Sequence, residues 1–163
     1  MIGPPRQMAR ADARLEYNHL MAHKDERITC LLKLTSLNGV AFDGTRDGLE
    51  RLDRWFAQNI EEDSRESGRL APLWYSIVID VGLLLGDLMI RQVPHLKWVF
   101  HTFGKTDINY HKAVIFGFTK IAVKNYTVDP DGLVATYGHR IVAGLDVDEN
   151  LFNLILVSTR EKA

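Results

Sequence analysis

The chain has a single cysteine, Cys30, among its 163 residues. One thiol cannot form a disulfide within the chain, and no cysteine cluster exists that would hold zinc. An excess of charge of one sign is also missing, because 20 Lys and Arg stand against 21 Asp and Glu. The net charge of −1 provides no global attraction to nucleic acid or to an anionic membrane surface. We therefore expect neither nucleic acid nor a membrane as a partner.

Motifs of high specificity for a reaction are lacking as well. The sequence contains no phosphate-binding loop, no paired-histidine metal motif on a helix and no Gly-x-Ser-x-Gly elbow. We therefore assign no catalytic residue, no metal and no cofactor from the sequence. The stretch 1–6 has no apolar core of the kind a signal peptide carries. Together with the lone thiol, this predicts a cytoplasmic protein.

A chain of this length is typical of one domain with a sizeable core. We predict a single domain over 1–163, with a flexible lead at 1–5, where two prolines follow each other, and a frayed charged tail at 159–163.

The longest apolar run extends from Leu73 to Ile90, and its only charges are Asp80 and Asp87. Its length is close to that of a membrane span, but an aspartate near the middle of a span would cost roughly 2.5–3.5 kcal/mol, and a second aspartate follows two turns later. The run therefore predicts the buried central helix of a globular fold, over about 72–91. Gly82 and Gly86 share one face of that helix, which indicates close approach of another element.

The segments before the central run predict helices. A thin apolar stripe over 6–23 indicates a surface helix, and a second helix follows from Asp25, taken as its cap, to the Asn38-Gly39 stop. A third begins near Arg46, with Trp55 bordering its core stripe.

After Pro94 the pattern becomes strand-like. Three short runs rich in β-branched and aromatic residues over about 95–128 predict a small antiparallel sheet. The segment 109–121 keeps helical spacing too, so strand and helix both remain open there. Asp129-Pro130 predicts the start of a C-terminal helix, and a last helix or strand follows, with Asp148 as the expected cap if it is helical. The predicted fold class is α+β, with N-terminal helices and the central helix packed on the sheet.

Candidate site residues lie in the central helix and in the strand region. Asp80 and Asp87 are seven residues apart and share a helix face, which is either solvated or part of a polar site. Trp98, His101 and His111 fall in the segment expected to pack on that helix. Carboxylates with histidines would suit a divalent metal or a small ligand. We predict ligand binding by these five residues if the face is a site.

Several short motifs resemble those of small uncharacterised bacterial proteins. They are Ser36-Leu37-Asn38-Gly39, the helix from Asp47 to Phe56, Val81 to Asp87 with Trp98, Ala113 to Phe118, and Asp129 to Tyr137. In the proteins that the chain resembles, a Leu-x-x-Leu-Asp helix precedes a Gly-x-x-Leu-Gly-Glu helix and a Trp-containing strand; Asp87 replaces the glutamate here. The resemblance implies an α+β fold, a bacterial origin and an accessory, sometimes immunity-like, role, and it supplies no catalytic residues.

Three functions follow from these observations. The first is a non-enzymatic accessory protein that binds another protein. The second is a small-molecule or metal-binding domain, with its site near Asp80 and Asp87 and the histidines of the C-terminal half. The third is a homo-oligomeric structural domain, in which Trp55 and the first helix cover each other across a two-fold axis.

Overall fold

The computed structural model describes residues 4–163, which form six α-helices, a short 3-10 helix and a three-stranded antiparallel sheet. The predicted α+β class is confirmed. After the 3-10 helix Pro5–Gln7, the elements are α1 (Arg10–Ala22), α2 (Lys24–Leu37), α3 (Arg46–Asn59), α4 (Pro72–Gln92), β1 (Lys97–Phe100), β2 (Ala113–Phe116), β3 (Thr127–Val128), α5 (Pro130–Val142) and α6 (Leu151–Lys162).

The central helix α4 lies among α2, α5 and α6 and supplies the largest share of the core. Pro72 occupies its first turn, where a missing N–H costs nothing. Among residues 4–163, α4 is the one helix long and apolar enough to cross a membrane, and 61% of its most apolar window is buried inside the protein. Its apolar surface is therefore largely covered by the other helices and the sheet.

The two glycines of α4 permit close approach, as their spacing predicts. A Cβ at Gly82 would lie 2.8 Å from the Cα of Asp131, so the first turn of α5 crosses α4 at this point. A Cβ at Gly86 would overlap the indole ring of Trp98 on β1. One glycine thus admits a backbone and the other a large side chain, and both fix how α4 meets its neighbours.

The sheet is a meander in the order β1-β2-β3, within the range predicted for it. The β1–β2 register pairs Trp98 with Ile115 and Val99 with Val114. In the segment 109–121 the strand alternative is confirmed, since Ala113–Phe116 is extended and pairs on both sides. Val114 and Ile115 are buried completely, which explains why β-branched content outweighs helical spacing here.

Of the three helix caps predicted from the sequence, one is confirmed and two are wrong. Asp129 caps α5 as expected, accepting a hydrogen bond from Gly132 N at 3.0 Å. The caps predicted at Asp25 and Asp148 are wrong: α2 begins after His23, and α6 begins after Asn150, which adopts the left-handed conformation. Neither N-cap residue makes a side-chain capping bond; α2 packs on α4, and α6 packs on α3.

Both chain ends differ from expectation in the described residues. The tail at 159–163, predicted to be frayed, is helical through Lys162, and Thr159 and Ala163 are buried. Of the lead at 1–5, residues 1–3 lie outside the described residues, while Pro5 already begins the 3-10 helix. Both segments are held by contacts with distant parts of the chain, which the local amino-acid composition does not predict.

The surface role expected for Trp55 is also corrected. Trp55 is only 9% exposed, and its ring centroid lies 5.6 Å from that of Trp74 in the core. It is therefore covered within the chain and has no free ring with which to meet a second copy.

Candidate functional site

A cavity of about 620 Å³ lies where α1, α2 and α4 meet the start of α5 and the β1–β2 region. We call it the Asp131 cavity. Its volume is in the range of small-molecule sites, which commonly hold about 300–1,000 Å³. Its charged lining residues are Glu16, Glu26, Arg27, Asp80, Lys112, Asp129 and Asp131. The apolar part of the lining includes Tyr17, Leu20, Leu83 and Trp98. The cavity therefore combines apolar surface with polar groups.

Two of the carboxylates are paired within the protein. Asp80, on α4, accepts a hydrogen bond from Arg27 Nε of α2 at 2.6 Å. Asp129, at the start of α5, forms an ion pair with Lys112 and also caps the helix. Burial raises the pKa of Asp80 in spite of the arginine beside it. Both lining cations are thereby engaged with carboxylates of the cavity wall.

Of the three other lining carboxylates, Glu16 and Glu26 are exposed, and Asp131 is the one that is partly buried. It lies in the first turn of α5 and makes no side-chain hydrogen bond or ion pair within residues 4–163. Burial raises the pKa of Asp131 to about 6, the negative charge of Asp129 adds to the rise, and Lys112 and Arg27 oppose it. A first-turn position favours the carboxylate, but removal from water outweighs that effect. The group is costly to ionise where it lies.

His111 adds a second unpartnered group to the same lining. The residue is 4% exposed, and its Nδ1 lies 3.1 Å from the carbonyl oxygen of Pro5. Because a carbonyl only accepts, Nδ1 carries the proton, and Nε2 of the neutral ring is an acceptor. Within the described chain Nε2 is buried and has no hydrogen-bond partner. Tyr110 and Phe100 stack against the ring, with centroids at 3.8 and 5.3 Å, and hold its orientation.

The structure brings together three of the five residues predicted from the sequence. Asp80, Trp98 and His111 line the Asp131 cavity, whereas Asp87 and His101 do not. Asp87 contacts Lys24 Nζ at 2.5 Å and accepts a hydrogen bond from Trp98 Nε1 at 3.0 Å. His101 is buried, with its Nε2 3.4 Å from a carboxylate oxygen of Asp107.

The shared face of Asp80 and Asp87 therefore matches neither expectation in full. It is not a solvated edge, since both carboxylates meet cations of α2. Nor do the two aspartates converge on histidines: among residues 4–163 no group of three or more His, Cys, Asp or Glu side chains is placed to hold a metal ion. The face joins α4 to α2, and only Asp80 reaches the cavity.

Sequence reasoning missed Asp131, Arg27 and Lys112. Asp131 follows Pro130, and in the sequence this position looks like an ordinary first-turn acid. The one available signal was Gly82, which indicates close approach but not the element that approaches. Arg27 and Lys112 look like surface residues, because the pairing that buries them joins segments 53 and 17 residues apart.

Comparison of the chain with models of protein families, with curated proteins and with solved structures found no significant match.

Proposed function

We propose that this protein is a non-enzymatic binding domain for a small organic cation, held in the Asp131 cavity. The observation that supports it is a partly buried carboxyl group that faces a cavity of about 620 Å³ without a partner in the described chain. Buried polar groups are normally hydrogen-bonded, so an unpaired one is explained by a ligand that completes it.

The cavity's free polar groups define the ligand. Asp131 offers a carboxylate to the cavity, which calls for hydrogen-bond donors. A primary or secondary ammonium group provides several N–H donors and a positive charge. Arg27 and Lys112 are paired with Asp80 and Asp129, so neither forms an ion pair with Asp131, although their charges act on it. Trp98 and Tyr17 supply aromatic surface for the ligand's apolar body.

Isothermal titration calorimetry with tryptamine, benzylamine and spermidine tests the proposal. At least one amine is expected to bind at pH 7, and its neutral counterpart, such as tryptophol for tryptamine, to bind at least about tenfold more weakly. Affinity should rise between pH 5 and pH 7, because Asp131 loses its proton near pH 6 while the alkylamine stays charged.

Two variants locate the binding site. Asp131→Asn keeps the shape and removes the charge, so it should weaken binding at least about tenfold. His111→Asn removes the imidazole, and asparagine tolerates the φ of 69° found at this position. Asp47→Asn, an exposed first-turn acid on α3, is the matched control and should bind as the wild type does. Binding of none of the three amines, or equal binding by Asp131→Asn, would reject the proposal.

The accessory role implied by the resemblance is a second proposal, in which a bacterial cytoplasmic partner protein is bound. It is favoured by exposed leucines at one end of the molecule. The pairs Lys24–Asp87 and Arg27–Asp80 show that α2 and α4 run antiparallel, so Leu34 and Leu37 lie at the end where Leu73 begins α4. Leu37 and Leu73 are 79% and 65% exposed.

A double variant, Leu37→Lys with Leu73→Lys, tests this second proposal. It should abolish a stoichiometric complex recovered from the native host while leaving amine binding unchanged. Recovery of no stoichiometric partner by the wild type, or of the same complex by the variant, would contradict it. Light scattering of the purified protein separates this case from self-association of the chain.

A further inference from the structure

A second cavity, of about 560 Å³, lies on the other side of the Lys112–Asp129 pair, which lines both. It is formed mainly by α5, α6 and the segment around β3, and we call it the α5–α6 groove. Its lining surface is mostly apolar, and three of the apolar side chains stay exposed: Ile108 at 73%, Leu133 at 41% and Leu154 at 47%. Apolar residues that line a concave surface and remain exposed indicate a binding site rather than a finished core.

The α6 wall of the groove changes character along its length. Leu151, Leu154 and Ile155 line the groove near the start of α6, and Ser158 and Lys162 continue the same face one and two turns later. From Leu151 to Lys162 the helix rises about 16 Å. The groove is therefore apolar along most of the helix and cationic at its C-terminal end.

Lys162 has no acidic partner among the described residues. Its Nζ donates a hydrogen bond to the hydroxyl of Tyr126 at 3.2 Å and lies 5.5 Å from the centroid of that ring. Asp129 is paired with Lys112, and Asp148 precedes α6, at the end of the groove opposite to Lys162. The ammonium group thus presents unneutralised charge at the edge of an apolar surface, next to two hydroxyl groups.

We propose that the α5–α6 groove binds an amphipathic carboxylate, that is, an aliphatic chain with one carboxylate head. The chain would lie along Leu133, Leu154 and Ile155, and the carboxylate would accept hydrogen bonds from Lys162 Nζ and the hydroxyl of Tyr126 or Ser158. This inference is independent of the amine site, because it rests on a different cavity, on the opposite charge and on other residues.

Calorimetric titration with decanoate, below its micelle concentration and at pH 7, tests the proposal. Decanoate should bind with one-to-one stoichiometry, and decanol and decyltrimethylammonium at least about tenfold more weakly. From octanoate to decanoate, affinity should rise about fourfold for each added methylene. Lys162→Gln should lose at least about tenfold in affinity, whereas Lys33→Gln, an exposed lysine on α2, should match the wild type.

If Lys162→Gln unfolds the end of α6, Leu154→Glu provides a second test of the proposal. The substituted side chain is half exposed, so the fold tolerates it, and its negative charge should repel decanoate. Failure of decanoate to bind, equal binding of decanol, or unchanged binding by folded Lys162→Gln would each overturn the proposal. The proposal would also be overturned if sedimentation velocity shows a dimer and Leu133→Glu abolishes it, because a second copy of the chain would then occupy the groove.

Discussion

Asp53 and Asp131 are two aspartates in low-dielectric surroundings, and the protein treats them differently. Burial raises the pKa of both carboxyl groups. Asp53, on α3, is 2% exposed and accepts two hydrogen bonds from the protein, whereas Asp131 accepts none from the described residues. The desolvation cost is partly offset by fixed donors at Asp53, whereas the side chain of Asp131 has no such donor among the described residues. A complete donor set marks a structural carboxylate, and an incomplete one beside a cavity marks a site for a ligand.

The region around Asp53 shows what fixed hydrogen-bond donors to a buried carboxylate achieve. Its carboxylate accepts from the hydroxyl of Tyr137 on α5 at 2.6 Å and from Phe152 N on α6 at 2.9 Å. Phe152 N is one of the first amides of α6, which has no side-chain capping bond of its own from Asn150. Asp53 therefore caps α6 from a neighbouring helix and ties three helices together. The carboxylate of Asp131 makes no comparable link within residues 4–163, and a cavity lies beside it.

The largest expected effect comes from removing the compensated carboxylate. Asp53→Ala should lower the free energy of unfolding by about 2–4 kcal/mol, because the Tyr137 hydroxyl and Phe152 N would remain buried without an acceptor. Urea denaturation followed by circular dichroism measures the change.

Tyr137→Phe is the control for that prediction, since it removes one donor and leaves Phe152 N satisfied. It should cost about 1 kcal/mol. In a double-mutant cycle the two substitutions should not be additive, because they share one hydrogen bond. Stability of Asp53→Ala equal to that of the wild type would mean that Asp53 does not hold the three helices, and the contrast with Asp131 would fail.

The next largest expected effect is an increase in the free energy of unfolding. Asp131→Asn should stabilise the protein at pH 7 by about 1–3 kcal/mol, the free energy that corresponds to a rise in pKa of roughly two units. A carboxyl whose pKa is raised in the folded state stabilises the fold while protonated. That contribution is complete below the unfolded pKa, near 3.8, and is lost as the pH rises through about 6. The gain from asparagine should therefore vanish at pH 4.

Denaturation of the wild type, Asp131→Asn and the control Asp47→Asn at pH 4 and pH 7 checks this prediction. Only Asp131→Asn should gain stability, and only at pH 7. A destabilised Asp131→Asn at pH 7 would show that the carboxylate has a partner and is not free for a ligand. If Asp131→Asn is more stable than the wild type and no longer binds amines, the carboxylate that lowers the stability of the unliganded protein is also the group that binds the ligand.

The fold was predictable where one segment carries its own signal. The apolar run with Pro72 predicts α4 at almost its observed length, and Asp129-Pro130 predicts α5 with its cap. The caps at Asp25 and Asp148 were wrong because capping residues are frequent, and packing on α4 and α3 decides where α2 and α6 begin. The buried tail was missed for the same reason: the amide of Lys120 donates to the carbonyl of Lys162, a contact across 42 residues.

The site was predictable only in part, because it depends on long-range pairing. Asp80, Trp98 and His111 were expected and do line the Asp131 cavity, since their segments all meet α4 or the strands beside it. Asp87 was expected with Asp80, yet Lys24 and the Trp98 indole hold it outside the lining. The local sequence marks Asp129 as the cap because Pro130 follows it, but nothing in it shows that Asp131 has no partner among the described residues.

The smallest expected effect tests whether neighbouring charge, rather than burial and donors, separates the two aspartates. Each has a nearby acid that raises its pKa: Glu50 beside Asp53 and Asp129 beside Asp131. Glu50 is exposed in part and pairs with Arg54 at 3.3 Å. Glu50→Gln would lose that pair and also relieve the repulsion of Asp53, so the stability at pH 7 should change by less than about 0.5 kcal/mol. A gain above about 1 kcal/mol in urea denaturation would show that this charge acts on Asp53 through the interior, where solvent does not screen it.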